Sequence, residues 1–167
     1  ADTVEAGTEV EESDLGSMFV WIPRYAYKIE SGYHTDKAGE ISIEFLEGTS
    51  SHKTGVDIGS YPEYNYSTTA SESKMNNYVV HPAFNYDENQ LTGIWIAKFK
   101  ASRADATDGS YGSSELIKVV GNKYAYSYET VGDFYKRCIG MNDEGNSYGL
   151  TSNDETVDPH LMKNTEW

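Results

Sequence analysis

A single cysteine, Cys138, in 167 residues leaves no intrachain disulfide framework and no zinc site built from several cysteines. A lone Cys on the apolar side of a helix reads as a small core residue. Positive charge is scarce as well: 13 lysines and arginines face 27 aspartates and glutamates, for a net charge of −14. Nucleic acid and anionic membrane surfaces both call for clustered Lys and Arg, so neither is an expected partner. No apolar run approaches the roughly 20 residues of a bilayer span, and no basic-then-apolar leader is visible. Signatures of catalysis are missing too. No serine sits in a nucleophile elbow, there is no phosphate loop, and His34, His52, His81 and His160 are widely spread. Nothing in the order of Glu44, Glu63, Asp87 and Glu88 singles out an acid and a base. Together these absences predict a protein that is not an enzyme.

Tyrosine, at 14 residues, and glycine, at 15, are plentiful, and Ser, Thr and Asn supply much of the polar remainder. Tyr packs on a pleated surface while Gly, Asn and Ser satisfy turn geometry, so more sheet than helix is expected. The predicted class is α+β, a mixed sheet with few helices and long polar loops. The chain is long enough to bury a core and reads as one domain, residues 17–167, behind an acidic arm at residues 1–16. Asp2, Glu5, Glu9, Glu11, Glu12 and Asp14 make that arm repel itself, which suits a linker or an acidic docking strand used in assembly.

Hydrophobic period places the strands. From Gly93 to Ser102 both faces are apolar, with Ile94 and Ile96 on one and Trp95, Ala97 and Phe99 on the other. That predicts a strand covered on both sides in the middle of the domain. Met18-Phe19-Val20-Trp21-Ile22 reads as a second buried strand stopped at Pro23. Next, Tyr25, Tyr27 and Ile29 share a face opposite Arg24, Ala26 and Lys28, as a tyrosine ladder on a half-exposed strand or a stacking platform for a ligand. Residues 40–47 alternate, with Ile41, Ile43 and Phe45 expected inward and Ser42 and Glu44 outward. Shorter strands are expected at Tyr78-Val79-Val80, residues 116–120 and residues 123–126. Between them, residues 48–77 sustain no period. A loop of that length either binds, assembles or is disordered, and it is a candidate contact surface. His81, before Pro82, reads as a packed or turn-capping histidine in preference to a ligand.

One helix carries every local signal. Thr130 caps it, Asp133 sits in its first turn, Val131, Phe134, Tyr135 and Cys138 form a stripe, and Lys136 and Arg137 precede Gly140 at its end. Asp158-Pro159 is read as the cap and first turn of a second helix opening at His160. Cut off at Trp167, that helix would leave Leu161, Met162 and Trp167 in want of a partner from a missing part or another subunit. Two acidic loops, with Asp143 and Glu144 in one and Asp154 and Asp158 in the other, are the candidate metal ligands. Calcium is the ion their oxygens would suit, although neither has the helix-loop-helix spacing. Asn65-Tyr66-Ser67 matches a glycosylation acceptor.

Several phrases carry a family resemblance: Met18-Phe19-Val20-Trp21-Ile22-Pro23-Arg24-Tyr25, His81-Pro82-Ala83-Phe84, Gly93-Ile94-Trp95-Ile96-Ala97-Lys98-Phe99, Tyr148-Gly149-Leu150-Thr151-Ser152-Asn153 and Met162-Lys163-Asn164-Thr165-Glu166-Trp167. They resemble a family of phage tail-associated and Firmicutes surface proteins, itself similar to the formylglycine-generating-enzyme and C-type-lectin-like fold. The resemblance implies a C-type-lectin-like sheet truncated at its C-terminal helix, since family members continue past the Asn164-Thr165-Glu166-Trp167 phrase. It implies an extracellular structural or recognition protein, from a virion tail fibre or a bacterial cell surface, that acts in adhesion. The oxidising activity of formylglycine-generating enzymes depends on a cysteine pair that binds copper, which one Cys cannot supply. The expected partners are protein or glycan receptors and further copies in an oligomer, with a pilus-like filament subunit as one alternative and an enzyme of the formylglycine-generating type, disfavoured by the single Cys, as the other. Tyr61, Tyr64, Tyr66 and Tyr111 are the expected contact residues, because Tyr among Ser, Gly and Asn makes adaptable contacts.

Overall fold

A computed structural model describes residues 5–52, 61, 77–86, 89–150 and 157–167. Their order is helical turn α1 (Glu12–Leu15), strands β1 (Phe19–Pro23), β2 (Tyr25–Ser31), β3 (Glu40–Phe45) and β4 (Val79–Val80), a 3-10 turn (Pro82–Phe84), β5 (Asn85–Tyr86), β6 (Asn89–Gln90), β7 (Gly93–Ala97), β8 (Ser102–Arg103), β9 (Ile117–Lys118), helix α2 (Val131–Ile139) and a second 3-10 turn (Gly140–Asn142). Short antiparallel sheets and few helices make this an α+β chain. It divides into two compact units, Trp21–Trp95 with Met162–Trp167, and Ala1–Val20 with Ile96–Leu161.

The first unit is built on the hairpin β2–β3. Its register pairs Tyr25 with Phe45, Tyr27 with Ile43 and Ile29 with Ile41, and β4 joins on the other side of β2 to give the order β3-β2-β4. Ala26, Leu46 and Val80 form the core on one face of this sheet, with Tyr61 and Tyr78 packed against it. Ile41, Ile43 and Phe45 are 58 %, 54 % and 54 % exposed, so the face expected inward is the face turned to water. The period of 2 tells which residues share a face, but not which face meets the core. Here the small Ala26 leaves room for the Tyr61 and Tyr78 rings, and the polar positions beside it are satisfied by hydrogen bonds, Ser42 Oγ to Glu30 at 2.8 Å and the Tyr61 hydroxyl to Glu44.

Arg24 is completely buried between β1 and β2. Its Nε donates to Ser50 O at 2.9 Å, and one terminal nitrogen donates to Phe84 O at 3.2 Å and Leu91 O at 3.4 Å. Its own amide donates to Thr92 O at 2.8 Å, and its carbonyl accepts from Leu46 at 2.9 Å. One side chain thus joins three stretches of backbone far apart in sequence.

Strands β1 and β7 pair as a two-stranded ribbon. Trp95 is 66 % exposed, and Ala97 and Phe99 also face water, which overturns the expectation of a strand covered on both sides. Apolar residues on both faces do not by themselves recruit cover: Ile94 and Ile96 are half-buried, while Trp95, though its ring meets that of Trp21, stays largely in water. Val20 and Trp21 of β1 are exposed too, so its reading as a buried strand is corrected in the same way.

In the second unit the hairpin β8–β9 sets Ser102 opposite Lys118 and Arg103 opposite Ile117. Ile117, Tyr126 and Met141 form its core, and Phe19, Ala101, Phe134, Cys138 and Leu150 pack around them. Burial raises the Cys138 thiol above its ordinary value. Helix α2 obeys its caps: Thr130 Oγ1 accepts from Asp133 N at 3.2 Å and donates to Asp133 Oδ2 at 2.6 Å. Residues 123–126 form no strand. The helix expected from His160 is also absent, because Nδ1 of His160 turns back to the Asp158 carbonyl at 2.7 Å and its carboxylate at 3.1 Å. Such local bonds compete with helix formation.

Candidate functional site

Side chains offered to water on regular backbone are the most distinctive surface of the first unit. Tyr25, Tyr27 and Ile29 of β2 and Ile41, Ile43 and Phe45 of β3 line one face of the hairpin, each paired across the strands. The 3-10 turn covers the β2 side of that face. His81 Nδ1 accepts from Ala83 N at 3.2 Å, and its ring lies 5.0 Å from Tyr25, 5.4 Å from Tyr27 and 6.0 Å from Phe84. This is the turn-capping histidine expected from the His81-Pro82 step, and burial lowers its pKa. On the β3 side Ile41, Ile43 and Phe45 are exposed.

At the hairpin tip the open face runs into a shallow cavity of about 320 Å³ lined chiefly by Ile29, Gly32, Tyr33, His34, Gly39 and Ile41. Its floor depends on two glycines. A Cβ on Gly32, whose φ is +82°, or on Gly39 would overlap the other's backbone. Tyr33 and His34 stack at 4.3 Å beside them, with His34 at a φ of 53°. Glu40 and Glu47 stand exposed at the two ends of β3.

A second display is the pair Trp21 and Trp95, with ring centroids 5.1 Å apart and planes tilted by 56°. Gly93 permits it, since a Cβ there would overlap the Trp21 ring and the Ile22 carbonyl.

Of the tyrosines expected to make contacts, Tyr61 is half-buried, 5.3 Å from Tyr78, with its hydroxyl given to Glu44. Burial first and the Glu44 carboxylate second push its pKa up to about 12. Tyr64 and Tyr66, with the Asn65-Tyr66-Ser67 acceptor, lie outside the described residues.

Tyr111 belongs to an ordered loop in the second unit. Asp105 closes that loop by accepting from Ser113 N at 2.9 Å and Ser114 N at 2.9 Å, and these amides lower its pKa. The Tyr111 hydroxyl both accepts from Ser127 N at 2.9 Å and donates to Ser127 O. Arg103 lies 5.0 Å from the Tyr111 ring and 4.8 Å from that of Tyr126, and its guanidinium holds Glu129 at 2.6 Å. Between the two anchored residues, Ser127 and Glu129, sits Tyr128, fully exposed with a φ of 63°. A bulky residue in the left-handed region is an outlier that persists only where its surroundings enforce it. Sequence reasoning missed Tyr128, for nothing in its neighbours foretells a positive φ. Val131, Tyr135 and Ile139 continue the exposed apolar surface along α2.

The expected metal ligands are not brought together among the described residues. Asp143 and Glu144 are exposed, Asp158 engages His160, and Asp154 lies outside the described set. Among the described residues no three His, Cys, Asp or Glu side chains converge, and no described helix is long and apolar enough to cross a membrane.

No protein-family model matches the chain, and neither a curated protein nor a solved structure is similar to it.

Proposed function

We propose that this chain is a non-enzymatic recognition domain of a phage tail or bacterial surface, working outside the cell, and that it meets a protein partner through exposed apolar strand faces. The observation that carries this reading is β3, an outer strand among the described residues, with Ile41, Ile43 and Phe45 all more than half exposed. Isolated exposed apolar residues are ordinary, but a contiguous row on a sheet edge marks an interaction surface. The Trp21 and Trp95 pair adds two side chains of the kind that anchor interfaces. The family phrases around Trp21, Pro82, Trp95 and Trp167 supply the virion or cell-surface setting.

The test is saturable binding of the labelled chain to intact virions or cells of its source. Trp95→Ala and Ile43→Lys are expected to weaken that binding at least tenfold while leaving the melting temperature within a few degrees. Binding indifferent to both substitutions, or no saturable binding, refutes the reading. Loss of binding after glycosidase treatment, with none after protease treatment, would transfer the contact to a glycan. A filament subunit would instead show concentration-dependent growth in sedimentation.

A further inference from the structure

Building on the reading that an exposed face of the first unit meets a protein, we propose that β3 is an acceptor edge for an extended, cationic segment of another protein. The segment adds to the sheet as a strand beside β3 and seats one apolar side chain in the cavity at the hairpin tip.

Position in the sheet is the first ground. Among the described residues the order is β3-β2-β4, which makes β3 an outer strand, and the outward main-chain groups of such a strand template a further one. Natural edges are blunted by charged side chains, Lys above all, or by Pro; residues 40–47 hold neither Lys nor Pro, and their charges are Glu40, Glu44 and Glu47. Strand addition takes its affinity from main-chain hydrogen bonds and its specificity from pockets for alternate side chains. The pocket adjoins the strand: Ile29 and Ile41 belong at once to the paired face of β2 and β3 and to the lining of the cavity.

Area and charge select the occupant. Ile41, Ile43 and Phe45 together offer roughly 250–300 Å² of apolar surface. A stable dimer buries about 800 Å² per partner, so this patch suits a single strand better than a whole second subunit. Within residues 25–47, Glu30, Asp36, Glu40, Glu44 and Glu47 outnumber Lys28 and Lys37. A second copy would bring the same acidic hairpin and another −14 of net charge, whereas a cationic strand is attracted along its length.

The experiment titrates the whole chain with a synthetic peptide of alternating valine and threonine bearing lysines at both ends. Its comparators are the same peptide with glutamate ends and a scrambled lysine peptide. The lysine peptide is expected to bind at least tenfold more tightly than either comparator, and raising salt from 50 to 300 mM should weaken it about fivefold through screening. Hydrogen exchange should slow at the amides of residues 40–45 and not at those of α2. Ile43→Lys should abolish binding, and Ile43→Thr, which keeps a β-branched residue, should weaken it with the melting temperature unchanged. Equal binding of the scrambled peptide, no binding, or protection located elsewhere overturns the inference. If the peptides fail while binding to virions or cells persists and still depends on Ile43, only the edge-strand inference falls. If that binding is lost as well, the recognition reading falls with it.

Discussion

Replacing Arg24 with methionine tests whether one buried guanidinium fastens the first unit. Methionine keeps much of the length and apolar stem but removes the donors that reach Ser50 O, Phe84 O and Leu91 O. A buried carbonyl left without a donor costs about 1–3 kcal/mol. Phe84 O is buried but keeps the Leu91 amide as a donor at 2.8 Å, while the contacts to Ser50 O and Leu91 O are partly buried, the latter at the long limit of a hydrogen bond. The expected sum is therefore about 2–3 kcal/mol, a sizeable share of the 5–15 kcal/mol that typically holds a domain together. With a urea slope of about 1.5 kcal/mol/M for a unit of this size, the midpoint should fall by about 1.3–2 M. The assay is intrinsic fluorescence, because Trp21, Trp95 and Trp167 all belong to the first unit. Reactivity of the Cys138 thiol reports the second unit separately. Arg24→Lys should recover part of the loss, since an ammonium can reach some of the same carbonyls but not in the same fork. A fluorescence midpoint within about 0.3 M of the parent for Arg24→Met would refute the reasoning, since the carbonyls would then have found other donors.

Other perturbations give similarly direct readings. Gly93→Ala should destabilise the first unit by about 2–3 kcal/mol in urea titration, because the new methyl meets the Ile22 carbonyl as well as the movable Trp21 ring. Thr130→Ala removes the cap of α2 and should cost about 1 kcal/mol, read as a lower thermal midpoint and faster amide exchange at Asp133. Tyr61 ionises at about 12 in the folded chain against an ordinary 10.0, so stability present below pH 10 should decline between those values; in Tyr61→Phe an alkaline denaturation series should lose that decline. His81 has its pKa lowered by burial, so the unfolded chain takes up the proton first as pH drops below 6.5. Its contribution, intact above that pH, is lost on acidification through the folded value, and His81→Gln should flatten this part of the stability profile.

Local chemistry was legible where it depends on neighbours in sequence. The caps of α2, the turn at His81-Pro82 and the alternation of β2 and β3 were all readable, since each is set within a few residues. Burial was not, because it depends on what the rest of the chain brings. Ile41, Ile43 and Phe45 alternate as a core face would, but the rings of Tyr61 and Tyr78 packed against the opposite side. Trp95 sits in a stretch that is apolar on both faces and is nonetheless two-thirds exposed, at 66 %. Arg24, preceded by Pro23 and alternating with tyrosines, gave no sign of its three carbonyls, which come from residues 26 to 67 positions away. At His160, a side chain binding its own upstream carbonyl outweighed the proline that would have started a helix.

The loop ahead of α2 shows that display can belong to a residue's neighbours. Tyr128 would relax on a slack backbone, yet Tyr111 grips the residue before it and Arg103 the residue after it. Tyr111 and Arg103 act as a vice, and the ring standing in solvent is the workpiece. A change at either jaw should therefore re-aim an aromatic surface that neither one touches, so that loss of a hydroxyl inside the loop is felt outside the molecule.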